Sequence, residues 1–414
     1  MRRSGLLSLV VSAFFGAGAL CPGSADAAEI KAEVIHWWTS GGESAAVKVF
    51  ADQFAKAGGI WIDTAIAGGV NARTAAINRL VGGNPATAMQ FNTGKQFDDL
   101  VSGGLLADLE PLAKAGGWRK FMPPAFVEAA TRKGDFYAIP INIHGQNWLW
   151  YNKSVLDKAG LQPPTTFDEL FVALDKLKAT GFVPLAFSGQ KTWERGLFNY
   201  LLLGKGGNDL FFAIYQKRDV GAVKSAAFRE IAEAYAKLRA YVDQGAPGRN
   251  WNDATAMVIS GKAAMQFMGD WAKGEFIAAN LTPGKDYGCT VVGQGYMMGG
   301  DVFVFAKTSD ASQIEAQKML ASVLLDPETQ IKFAQKKGSV PIRQDVDVSS
   351  LDICAQAGMK ILADPKRQVP AVELLAPASF NGALEDVISE YWNNPSMSAD
   401  AFTAKFAQAM QDNM

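Results

Sequence analysis

The chain has 414 residues, more than one ordinary hydrophobic core organises and about right for two lobes. Hydrophobic residues make up 49% and charged residues 20%, the make-up of a globular protein with sizeable cores. Forty Lys and Arg balance 41 Asp and Glu, and no basic run occurs, so composition argues against nucleic acid or an anionic membrane surface as partner.

Residues 1–27 have the form of an export signal: Arg2 and Arg3, an apolar stretch from Leu6 to Leu20, then Ala25-Asp26-Ala27 as a cleavage site. Arg2-Arg3 is also a faint twin-arginine pattern. A lipid anchor on Cys21 is the alternative, but Leu20 stands where a small residue is wanted. No later stretch is apolar over the roughly 18 residues needed to span a membrane. The expectation is a mature protein in an oxidising compartment, not embedded in a membrane. Cys289 and Cys354 then remain, 65 positions apart. They form either one disulfide or two buried thiols, and spacing does not choose between these.

Val34 to Glu43 is an apolar run that reaches Trp37-Trp38 and breaks into a polar, glycine-bearing turn. Adjacent strand residues point to opposite faces, so both indoles reach one cleft only if the strand dissolves there. Val47, Phe50 and Phe54 recur at helical spacing within a helix over 43–56, stopped by Gly58-Gly59. A strand over 60–67, a helix over 71–81, a strand over 86–91 and a helix over 96–102 follow. This alternation predicts an α/β fold with a mainly parallel sheet. Ligands of such sheets bind at the carboxyl ends of the strands. Trp37, Trp38, Gln90 and Asn92 fall there, with Lys95 just beyond.

Asn142 and His144 come next, before an aromatic-rich segment, Asn147 to Asn152. Thr166 and Glu169 fit a capping box opening a helix. The region onward to about Phe276 reads as mostly helical, and within it Ser260 to Met265 leads to Gly269-Asp270-Trp271. Strands are expected over 287–292 and, after Gly299-Gly300-Asp301, over 302–306. Helices are expected over 313–324 and 328–337, then again in the C-terminal portion.

Several blocks, in this order, resemble the periplasmic solute-binding proteins of ABC transporters, in the sugar-binding branch (extracellular solute-binding protein family 1). They are Gly134-Asp-Phe-Tyr-Ala-Ile-Pro140, Tyr151-Asn-Lys153 with Lys158-Ala-Gly160, Pro163 to Leu170, Gly261-Lys-Ala-Ala-Met265 with Gly269-Asp-Trp271, and Gly338-Ser-Val-Pro341. The opening stretch looks most like the glucose- and mannose-binding members. The resemblance implies a two-lobed periplasmic-binding-protein fold (type II), each lobe a mainly parallel sheet flanked by helices, with multiple hinge crossings. The N-terminal lobe would be 28–139 plus 297–340 and the C-terminal lobe 140–296 plus 341–414. It implies a monomeric periplasmic receptor that holds a monosaccharide between the lobes and delivers it to a membrane permease, without cofactor. Trp37 and Trp38 would contact the ring, and Ser40 and Glu43 its hydroxyls. Gln90, Asn92 and Lys95 would line one edge, with Asn142 and His144 nearby. Trp271 would close the opposite side, and Asp301 and Lys337 would bind hydroxyls. Glucose binders of this kind place a histidine where this chain has Ser379-Phe380-Asn381, so Asn381 would stand in for it.

These residue types suit a sugar. Indoles cover the C–H face of a pyranose at roughly 25 cal/mol per Å² buried. Carboxylates accept from hydroxyls, lysines donate, and amides do both. With two histidines in the chain and two cysteines outside the signal, a metal site has little support. A secreted glycoside hydrolase using Glu43 and Asp301 is the competing class. No Ser/His/Asp elbow or phosphate loop accompanies those carboxylates.

Overall fold

The structure is a computed structural model describing residues 29–414. The expected export signal and Cys21 lie outside the described residues. No described helix is long and apolar enough to cross a membrane.

The first lobe is built on β1 (Ile30–His36), β2 (Gly59–Ala65), β3 (Ala88–Asn92), β6 (Ile139–Pro140) and β13 (Asp301–Phe305), in the order β2-β1-β3-β13-β6. β1 runs parallel to β2 and β3. β13 runs antiparallel to β3 and β6, pairing Asp301 with Asn92. Four of the five strands therefore run in one direction, as a mainly parallel sheet should, and β13 alone is reversed. β13 continues almost directly from β12 (Tyr296–Gly299), with one residue between them, and so enters from the other lobe rather than being returned by a helix of its own.

Helix α1 (Gly41–Lys56) starts at Ser40, whose hydroxyl accepts from the Glu43 N–H. It buries Ala46, Val47, Phe50 and Phe54, and Phe50 stacks on Phe333 at 4.3 Å. α2 (Gly69–Val81) follows β2. One apolar core joins residues 32–143 to 298–342.

The second lobe centres on β8 (Trp148–Asn152), β9 (Val183–Leu185), β10 (Ala263–Met268) and β11 (Tyr287–Val291), ordered β11-β8-β10-β9. β8 is antiparallel to β10 and β11, and β9 runs parallel to β10. β9, β10 and β11 therefore share one direction and β8 alone is reversed, so this sheet too is mainly parallel. α3 (Phe167–Ala179) opens with the capping box of Thr166 and Glu169. α4 (Lys191–Tyr215), broken at Gly207, and α5 (Trp251–Ile259) follow. Then come α6 (Ala272–Ala278), α7 (Pro327–Lys337), which packs back against α1 in the first lobe, α8 (Ile353–Leu362), α9 (Val372–Leu375) and α10 (Ala378–Asn393). A second core runs from Leu149 to Met297 and resumes from Val369 to Met410.

Between the two lies a sheet of β14 (Val340–Pro341), β7 (Asn142–Gly145), β12 and β15 (Gln368–Pro370), in that order. β4 (Thr131–Arg132) and β5 (Asp135–Phe136) make a small hairpin. Cys289 on β11 and Cys354 on α8 are disulfide-bonded, which decides between the two alternatives left open by the sequence.

Candidate functional site

A cavity of about 520 Å³ lies between the lobes, at the carboxyl ends of β1 and β3. Trp37 is on its wall. Strand alternation separates the tryptophans: Trp38 turns inward, only 1% exposed, against Phe50, Phe303 and Phe333. The turn that presents Trp37 is held from beneath. His36 Nδ1 accepts the Trp38 N–H at 3.2 Å, its Nε2 pairs with Asp63 at 2.7 Å, and Gln90 Oε1 accepts the Trp37 N–H at 3.0 Å.

Ser40, Glu43, Asn92, His144, Trp271, Asp301 and Lys337 also reach the cavity. Glu43 and Lys337 form a buried ion pair at 2.8 Å. Asp301 is a hub. Its Oδ1 accepts from Gln90 Nε2 at 3.1 Å and Asn92 Nδ2 at 3.5 Å. Its Oδ2 accepts from Asn142 Nδ2 at 3.1 Å and meets His144 Nε2 at 2.9 Å. With these bonds the carboxylate's acceptor positions are already largely used. His144 Nδ1 pairs with Asp270 of the second lobe. Burial would lower the His144 pKa, but Asp270 and Asp301 outweigh it and raise it to about 9. Burial likewise would raise Asp301, and the facing imidazolium instead holds it below the usual carboxylate range.

Five expected site residues do not line this cavity. Trp38 is core. Gln90 and Asn142 stand behind Asp301 and orient it. Lys95 is exposed beyond the β3 turn. Asn381 is buried on α10, donating to the Val372 and Ala376 carbonyls, so it secures α9.

Sequence reasoning passed over Arg73, Gln146, Gln190, Trp193, Asn250 and Trp251, all on the wall. Four of these had a local signal: Gln190-Lys-Thr-Trp193 and Asn250-Trp251 each set an indole near an amide at a helix start. Trp193 lies 5.9 Å from Trp271, which meets the His144 ring edge-on at 5.1 Å. A smaller compartment of about 130 Å³ adjoins, between Asn92, Gln146, Trp193, Arg195 and Glu373.

Residues 49–356 match the model of the bacterial extracellular solute-binding proteins. The chain belongs to that family. It is 38% identical, over 90% of its length and 91% of the relative's, to a probable sugar-binding periplasmic protein of Rhizobium meliloti (strain 1021). Its fold resembles a chitin oligosaccharide binding protein, with TM-score 0.78, 21% identity and coverage of 92% of this chain and 98% of that one. It also resembles the bacterial solute receptor AcbH, described as exclusive for β-D-galactopyranose, with TM-score 0.79, 18% identity and coverage of 93% and 97%. These likenesses establish the two-lobed type II architecture.

Proposed function

We propose that this chain is the periplasmic substrate-binding component of an ABC sugar importer. It takes a monosaccharide between its lobes, with glucose first among the neutral hexoses, and delivers it as a monomer to a membrane permease. Another monosaccharide, a disaccharide or a polyol is the alternative ligand. Residues 1–27 act as the signal, 28–139 with 297–340 as the N-terminal lobe, and 140–296 with 341–414 as the C-terminal lobe.

One observation carries the reading. The cavity combines the indoles of Trp37, Trp193, Trp251 and Trp271 with amides and charged groups on both lobes. Indoles match the C–H face of a pyranose, and the polar groups re-pair its hydroxyls once water is stripped away. The sugar-binding names of relatives at 38% identity support the same class. Because contacts come from both lobes, sugar binding favours the closed arrangement.

Calorimetric titration of the mature protein with glucose, galactose, mannose, maltose and a polyol tests this, with the sugars analysed afterwards. Saturable binding of an unaltered sugar is expected, and about −8 kcal/mol would correspond to micromolar affinity. Cleavage of a glycosidic bond, or binding of no sugar at all, neutral or acidic, overturns it.

A further inference from the structure

The cations on the cavity wall differ in how they are neutralised. Lys337 is paired with Glu43, and His144 with Asp270 and Asp301. Arg73, on α2, has no carboxylate partner among the described residues. Among the described residues its one side-chain hydrogen bond goes from Nη1 to Asn92 Oδ1, at a long 3.4 Å. Its guanidinium lies over the Trp37 ring, 5.6 Å from the centroid. The acidic groups whose field reaches it are Glu373 and Glu385 of the opposite lobe. Both are already held by Arg195, at 2.8 and 3.0 Å.

A partly desolvated guanidinium without a counter-charge is costly, and burial draws its pKa below the ordinary arginine value. A sugar hydroxyl would use its N–H groups but leave the charge uncompensated. A carboxylate satisfies both, because the planar fork presents two parallel N–H bonds to two oxygens. The neighbouring wall is Trp37, Gly68, Gly69 and Asn71, and Arg195, whose field also reaches Arg73, is already paired with Glu373 and Glu385, so no second free cation is added among the described residues. One fork matches a singly charged carboxylate better than a phosphate dianion.

We propose that Arg73 determines specificity by binding a carboxylate on the ligand, so that the preferred ligand is a sugar acid of the hexuronate class rather than the parent hexose. This rests on the receptor reading above. Trp37 would then serve twice, holding the sugar face and, through its ring, fixing the guanidinium.

The test is calorimetric titration of the full mature chain with matched pairs, glucuronate with glucose and galacturonate with galactose, plus glucose 6-phosphate. At least one uronate should bind tenfold or more tightly than its neutral partner. Arg73→Gln should cut that acid-to-neutral ratio at least tenfold, and Arg73→Lys, which keeps the charge and loses the fork, should retain part of it. Circular dichroism confirms that each variant is folded, and should Arg73→Gln not fold, the Arg73→Lys ratio decides. Neutral hexoses binding as tightly as their acids overturns the proposal and leaves the receptor reading standing. So does an equal loss for both classes on substitution, which would make Arg73 a hydroxyl donor. Tighter binding of glucose 6-phosphate than of both uronates overturns the carboxylate assignment. No binding of any sugar, acidic or neutral, overturns the receptor reading and this inference with it.

Discussion

Lys337 Nζ lies 2.8 Å from Glu43 Oε1, joining the last turn of α7 to the first turn of α1 across 294 positions. Both side chains are almost fully buried. A buried pair is worth little against an apolar replacement, but removing one member strands the other's charge. Lys337→Met and Glu43→Gln should therefore each cost about 3–5 kcal/mol of folding stability, whereas the double variant should lose less than the sum. Urea denaturation of the four proteins gives the coupling. Additive losses would show that the two residues do not act as a pair.

Trp37 and Trp38 should separate binding from stability. Trp37→Ala removes an indole from the cavity wall and should abolish or greatly weaken sugar binding, with a small change in stability. Trp38→Ala empties a site packed by Phe50, Phe303 and Phe333 and should cost about 3–5 kcal/mol. Fluorescence titration and denaturation of both variants check this. Loss of stability from Trp37→Ala with intact binding would reverse the two roles.

Local rules carried far where the determinant is local. The Thr166–Glu169 capping box and the apolar spacing of Val47, Phe50 and Phe54 are visible in a few residues and form as expected. β10 is different: all six residues from Ala263 to Met268 are buried, so no alternation marks it and it passes for helix. β13 could not be oriented from sequence, because its direction depends on a crossing from the other lobe. The same holds in the site. Strand alternation lets Trp37 and Trp38 share a cleft only where the strand dissolves, and family likeness drew both there; β1 does end at His36, yet Trp38 packs into the core. Lys95 sits three residues from Asn92 on the wall and Asn381 lies on α10, and nothing in their neighbourhood reports the turn that takes one outward or the packing that buries the other. Arg73 is one arginine on an amphipathic helix until folding places it against Trp37.

The His144 cluster gives a pH dependence. Its pKa stands at about 9 in the fold against 6.5 for the free group. A raised value means that the folded state holds the proton more tightly than the unfolded state. The resulting stabilisation, on the order of 3 kcal/mol by linkage, should be complete below about pH 6.5 and lost as pH rises through about 9. Asp301, held below its usual range, acts in the opposite direction: its contribution is present above the ordinary carboxylate pKa and disappears as acid protonates it. Asp270 and Lys337 face the same cluster, Asp270 against His144 Nδ1 and the Lys337 charge toward Asp301. His144→Gln should flatten the alkaline limb of a stability-versus-pH curve. An unchanged alkaline limb in the variant would remove His144 as its source.

The Cys289–Cys354 disulfide closes 65 positions of chain and ties α8 to β11. Chain entropy assigns such a loop about 4 kcal/mol. Reduction, or Cys289→Ser with Cys354→Ser, should lower the denaturation midpoint. It should also raise hydrogen exchange over Ile353–Leu362 more than in α1. The wall of the cavity includes neither cysteine, so sugar affinity measured well below the unfolding transition should change less than threefold. A larger loss of affinity would mean that α8 helps set the spacing of the lobes.

Gly42 and Gly274 bring α1 of the first lobe against α6 of the second. A Cβ on Gly42 would stand 2.4 Å from the Gly274 carbonyl carbon, so only glycine permits the approach. The contact is also polar, since the Gly42 N–H donates to Glu275 Oε1 at 2.9 Å and satisfies one of the free donors at the start of α1. Gly42→Ala should force the helices apart, costing about 1–3 kcal/mol by overpacking. It should also hold the lobes further open. Two readings should move together: a larger radius of gyration by small-angle scattering with saturating sugar, and roughly tenfold weaker binding. Glu275→Gln keeps the spacing and loses only the charge at the helix start, about 0.3–1 kcal/mol, so its scattering should match the parent protein. Gly42→Ala with parental scattering and affinity would show that the contact gives way by local adjustment of α1, without moving one lobe against the other.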